Sequence, residues 1–141
     1  MRSVDYRDLL GKKWELRARG PERFDCLGLV YEVLRRTGVE LDELARLEDY
    51  EDEPAAWRML SDWPGRSRWK LLGHQAHFAS QVGDVLYSVP SPTVHHVSVV
   101  VWSDLPRIAL TTTLRRGVHA LPVHRIPDVA AVYRLIPLEA A

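Results

Sequence analysis

The chain has 141 residues, enough for one domain (residues 1–141) built around a single hydrophobic core. Its 46% hydrophobic and 27% charged residues are ordinary for a globular protein, and nineteen basic side chains balance nineteen acidic ones. That balance excludes a global field that would gather nucleic acid or an anionic membrane, and no apolar run approaches the length needed to span a bilayer.

The first eight residues, Met1 to Asp8, lack the apolar core of a signal peptide, so synthesis in the cytoplasm is expected. Ser3 or Asp5 caps a short predicted helix that runs through Leu9-Leu10 and stops at Gly11. Residues 12–23 have turn chemistry at Gly20-Pro21 and no sustained period, which reads as a loop. A central helix is predicted from Cys26 to about Thr37. Asp25 is a good N-cap, Cys26, Leu29, Val30, Val33 and Leu34 recur on one face, and Gly38 supplies the stop. Residues 40–53 are strongly acidic and read as a solvated connection. Pro54 suits the first turn of another helix, Ala55 to about Asp62, which ends before Trp63-Pro64-Gly65. Trp57, Trp63 and Trp69 are expected in the core or lining a groove.

From Val82 the pattern changes to short β runs. Strands are predicted near 84–89, 96–102, 106–113, 117–123 and 130–136. Turns fall at Ser91-Pro92, Ser103-Asp104, Arg115-Arg116-Gly117 and Pro127-Asp128. Helices first and an antiparallel meander second predict an α+β fold, with N-terminal helices packed on an antiparallel sheet of five to six strands.

Cys26 is the only cysteine, which excludes an internal disulfide and places one thiol in a first helical turn. Unpaired N–H groups and the helix dipole there favour a thiolate, and beside an imidazolium such a thiol titrates between ~3.5 and ~7.5. The same amides can receive the negative oxygen of a tetrahedral intermediate. Some seventy residues later comes the β-rich run Val94-His95-His96-Val97-Ser98-Val99-Val100-Val101. A lone cysteine on a helix N-terminus with a histidine on a distant strand is how several thiol hydrolases are built. The plainer alternative is a small apolar residue filling the core.

Strand parity chooses between the two histidines. His96 shares a face with Ser98 and Val100, and His95 with Val97, Val99 and Val101. Ser98 is small, as a residue under a closely packed helix must be, so His96 is expected on the helix-covered face. Gly28 costs about 1 kcal/mol against alanine inside a helix, which implies that another backbone or a substrate passes close by. His74, His77 and the His95-His96 pair have no cysteine or carboxylate at ligand spacing, so neither a metal nor a cofactor is expected.

Five segments in order resemble the NlpC/P60 family of papain-like cysteine peptidases, most closely its phage-tail-assembly branch, and together they cover nearly the whole chain. Gly11-Lys12-Lys13-Trp14 is similar to the family's opening "GxPW/Y", and Phe24 to Val30 to its "FDCxGLV" helix. Gly83-Asp84-Val85-Leu86 is similar to "GDvv", His96 to Val101 to "HVGIYL", and Ala131-Val132-Tyr133-Arg134 to "gfyR". The resemblance implies a papain-like core that hydrolyses an amide of a peptidoglycan stem peptide, with Cys26 as nucleophile and His96 as general base and acid. It also implies Trp14 and Asp25 beside the substrate, phage tail proteins as partners, and delivery to the cell wall in a virion tail.

Two positions depart from the family pattern. Thr111 stands where His, Asn or Gln usually orients the imidazole; its hydroxyl can accept an N–H hydrogen bond at shorter reach. His119 or His124 takes that role only in a different strand register. Trp14 replaces the tyrosine of many members, as it often does in the phage branch. The alternative from another class is a non-catalytic tail protein that keeps the fold. Acyl transfer or deamidation by the same pair also shares every step until water attacks.

Overall fold

The computed structural model describes residues 3–39, 41, 68–73, 79–92 and 94–136. Helix α1 spans Cys26–Arg36 and begins where the sequence says it should. Asp25 is extended and its carboxylate accepts the Gly28 N–H at 2.7 Å, satisfying one of the unpaired donors of the first turn. Gly38, at φ +86°, ends the helix at its other end.

The expected N-terminal helices are not there: α1 is the only α-helix among the described residues. Arg7–Leu9 form a single 3-10 turn. Two anchors stop it from growing. Val4 N–H is bonded to Val101 O at 3.0 Å, and Ser3 bridges to Trp102, so the chain leaves the sheet only just before the turn. Leu10 is then extended and Gly11 has φ +83°, which breaks the helical path. The Arg36 guanidinium ties this turn to α1, bonding both carboxylate oxygens of Asp8 at 2.6 and 2.8 Å. The helix predicted over 55–62, Trp57, Trp63, His74, His77 and the acidic run apart from Leu41 and Val39 beside it lie outside the described residues.

Within the predicted loop 12–23 and just after it, β1 (Lys13–Trp14) and β2 (Arg23–Phe24) pair in parallel. The remaining strands are β3 (Trp69–Gly73), β4 (Val85–Ser91), β5 (Val94–Trp102), β6 (Ile108–Thr113), β7 (Gly117–Pro122) and β8 (Val129–Leu135). They form one antiparallel sheet in the order β3-β8-β4-β5-β6-β7. Five of these six strands fall on predicted ones. β3 does not; among the described residues it is an edge strand paired with β8 alone, and Leu71 on it is exposed.

The sheet is apolar on both sides. On one side Val85, Val97, Val99, Val101, Leu110 and Val118 pack with the buried face of α1. On the other, Leu86, Val100, Ala109 and Val132 cluster with Val123 and Ile126. Each such side chain contributes about 1.5–3 kcal/mol by leaving water. The side that α1 covers is therefore that of Val97, Val99 and Val101, not that of Ser98 and Val100, which corrects the parity expectation. A row of three β-branched residues gives the helix a continuous apolar surface, whereas the alternate row begins with His96 and Ser98.

Two of the sequence segments meet in space. The Asp84 carboxylate, 1% exposed, accepts two hydrogen bonds at 2.8 Å from Arg134 of β8 and a third from Gln81 N–H. The hydrogen bonds that Arg134 donates to Asp84 raise its pKa above the ordinary value. This fork fixes the start of β4 against β8.

Candidate active site

The site is built around the start of α1. Asp25 is fully buried. Besides capping Gly28, it accepts the Arg17 N–H at 2.7 Å and lies 3.7 Å from the Arg19 guanidinium, which stacks 4.9 Å above the Tyr31 ring. Its own N–H donates to Ala18 O at 3.1 Å. A Cβ on Gly28 would overlap that same carbonyl oxygen and lie 3.1 Å from both Ala18 C and Asp25 Oδ1. The glycine is there because the 15–19 turn crosses the helix start in van der Waals contact, the backbone approach its cost implied. Asp25 thus organises the turn and the first helical amides. Its carboxylate, with no exposed surface, is engaged by these partners.

Cys26 is the first helical residue, 2% exposed, and belongs to the helix-side cluster with Val97 and Val99. Trp14 is half-buried on β1, opposite Phe24 of β2 in the parallel pair, which sets it two residues from the thiol segment. β1 is held in turn by β7: Gly11 N–H donates to Val118 O and Val118 N–H to Lys12 O, both at 2.8 Å.

His96 and Thr111 come together as expected, the imidazole Nε2 hydrogen-bonded to the threonine Oγ1. The register that allows it runs through Val99↔Leu110 and Val100↔Ala109, which sets residue 111 beside Ser98 and within reach of His96. Thr111 itself faces His119 on β7. His119 donates its Nδ1–H to Gly117 O at 2.8 Å. His124 lies on a 3-10 turn beyond β7, exposed.

By alternation along β5, His96 and Ser98 sit on the side away from the α1 cluster. There His96, Thr111, Ser88, Ser98 and His119 line a cavity of about 260 Å³ with Leu121 and Ile126. His95 takes the helix side, its Nδ1 hydrogen-bonded to the Tyr87 hydroxyl. Tyr87 pairs with Val97 and packs against the helix-side cluster. Sequence reasoning missed the Tyr87–His95 pair; the signal was a phenol two residues after Val85 on a strand whose odd positions face the helix. No group of three or more His, Cys, Asp or Glu among the described residues is placed to hold a metal ion.

No protein-family model matches the chain, and no curated protein matches it. Among solved structures it is similar to NlpC2 from Trichomonas vaginalis, with a TM-score of 0.58 and 17% identity over 90% of this chain and 42% of that one. NlpC1 from the same organism matches with a TM-score of 0.49 and 16% identity over 89% of this chain and 39% of that one. The chain therefore spans less than half the length of either structure. At that identity the likeness to NlpC2 is one of fold: a six-stranded antiparallel sheet with a helix on one side, arranged as in an NlpC protein.

Proposed function

We propose that the protein is a thiol-dependent amide hydrolase of NlpC/P60 type. Cys26 is the nucleophile, and His96, oriented by Thr111, is the general base and then the general acid. The observation that carries this reading is the Asp25-capped helix start with Cys26 as its first residue, set in an NlpC-like fold whose β5 supplies a hydroxyl-bonded imidazole. When Nε2–H donates to Thr111 Oγ1, a neutral ring carries its lone pair on Nδ1, the tautomer a base toward sulfur needs.

Helix and strand spans support placing the thiol and His96 at one end of the sheet; because alternation turns His96 to the face away from α1, the pair meets around that end of β5 and not through the sheet. Leu34 packs beside Gly83, whose N–H bonds Val100 O at 2.8 Å, so the far end of α1 marks the Val100 end of β5. Eight helical residues back to Cys26 cover about 12 Å, and four strand residues from Val100 to His96 cover about 13 Å. The thiolate attacks the amide carbonyl, the first-turn amides stabilise the oxyanion, and the imidazolium protonates the leaving amine before activating water. The substrate is a peptidoglycan stem peptide, and a phage-tail particle is the vehicle that carries the enzyme to it.

A second reading is a non-catalytic protein that retains the fold, and the 2% exposure of Cys26 favours it. Thiol labelling separates the two. An active-site thiolate reacts with iodoacetamide near pH 6 in the folded protein, whereas an inert core thiol reacts only as fast as the protein unfolds. Labelling that tracks denaturant-induced unfolding would overturn the hydrolase reading.

A further inference from the structure

We propose that the cavity on the sheet side away from α1 binds a small uncharged ligand with an aliphatic body of about six to nine carbon atoms and a single hydroxyl head. The size follows from the 260 Å³ volume, since a cavity of roughly 150 Å³ takes a benzene molecule. The head follows from the floor. Ser88 and Ser98 line the cavity, are 2% and 1% exposed, and their hydroxyls have no hydrogen-bond partner among the described residues. Ser88 and Ser98 are diagonal neighbours on β4 and β5 facing the same cavity; buried hydroxyls left unpaired are costly, and a ligand hydroxyl, which both donates and accepts, can serve them.

The charge of the ligand follows from what lines the site. None of the lining residues is Asp, Glu, Lys or Arg, so an ammonium entering it would lose its hydration without a counter-charge, and a carboxylate would find one only where His96 or His119 is protonated. His119 donates Nδ1–H to a carbonyl, so its neutral ring offers an acceptor at Nε2. A carboxylate has no proton to give that nitrogen, and a hydrocarbon would leave both serines unpaired. Leu121, Ile126 and Pro127 supply the apolar wall against which an alkyl chain packs. The cavity shares His96 and Thr111 with the proposed catalytic pair, but its binding chemistry does not depend on the thiol.

The test is a titration of the isotope-labelled protein with 1-hexanol and, separately, hexanoate, followed by amide chemical shifts. Hexanol is expected to move the amides of Ser88, Ser98 and Leu121 in a saturable way, with hexanoate at least tenfold weaker. Ser98→Ala is expected to weaken hexanol about five- to tenfold, with Ser88→Ala as the second variant should Ser98→Ala fold poorly. Leu121→Trp is expected to fill the space and abolish the shifts in a protein that still unfolds cooperatively. Equal affinity for hexanoate, no saturable shifts, or shifts indifferent to Leu121→Trp would each overturn the proposal, the second meaning that the cavity holds water only. Cys26→Ala separates the two readings. Binding that survives while wild type shows no hydrolysis fails the hydrolase reading alone, and hydrolysis without binding fails this one alone.

Discussion

Gly28→Ala is the sharpest probe of how the helix start is assembled. On helix propensity alone the change should stabilise by about 1 kcal/mol. The structure reverses the sign, because the added methyl would overlap Ala18 O, a backbone atom that no rotamer change can move. Either the helix start or the 15–19 turn must give way. If the turn lifts, the Asp25 N–H to Ala18 O bond (3.1 Å) and the Arg17 N–H to Asp25 bond (2.7 Å) weaken together. A neutral bond contributes about 1 kcal/mol and one to a charged group about 1.5–3, so losing much of both, less the propensity gain, leaves a net cost of about 2 kcal/mol. For a domain of this size that lowers Tm by roughly 6–8 °C. Urea unfolding followed by circular dichroism measures it. A Gly28→Ala protein as stable as wild type, or more stable, would refute the claim that backbone contact selects this glycine.

Three further outcomes are expected. Thr111→Val, nearly isosteric, removes the hydroxyl that holds His96 and should lower turnover about ten- to a hundredfold with little change in stability, read from kcat at constant Tm. Asp25→Ala removes the acceptor of two backbone N–H bonds of 2.7 Å at a fully buried position and should cost about 2–3 kcal/mol in denaturant unfolding. Asp8 has its pKa lowered chiefly by the hydrogen bond from Arg36. Its contribution to stability is present above the carboxylate pKa of the unfolded chain and fades as pH falls through the lower folded value. Asp8→Asn should flatten that part of the acid limb, slightly because the pair is exposed, and an unchanged pH–stability curve would count against it.

The parts of the fold legible in the sequence are those with a local cause. Asp25, the spacing from Cys26 to Leu34, and Gly38 specify α1 almost to the residue, because cap, apolar stripe and stop are all encoded within fourteen positions. Strands β4 to β8 were likewise legible from alternation and turn residues. β3 was not, because Trp69-Lys70-Leu71-Leu72-Gly73 carries no clean alternation and draws its hydrogen bonds from β8, more than fifty residues away. The N-terminal helix was over-read for the same reason. The pairing of Ser3 and Val4 with β5 that forestalls it is a long-range event no local propensity reports. In the site, the His96–Thr111 bond was legible once the strands were in register. Which side of β5 the helix covers was not, since both sides are apolar and the choice rests on the whole valine row rather than on Ser98 alone.

The central claim is that Cys26 performs amide hydrolysis, and its most direct test is digestion of purified peptidoglycan by wild type, Cys26→Ala, His96→Ala and His95→Ala, with soluble products identified by mass. The account predicts products carrying a cleaved stem-peptide amide from wild type. It predicts their loss in Cys26→Ala and, by a similar factor, in His96→Ala, because nucleophile and base act as a unit. His95→Ala should retain most activity; the opposite ranking of the two histidines would move the base to the Tyr87-bonded ring on the helix side. Products released undiminished by Cys26→Ala, or a folded wild type that releases none, would contradict the claim.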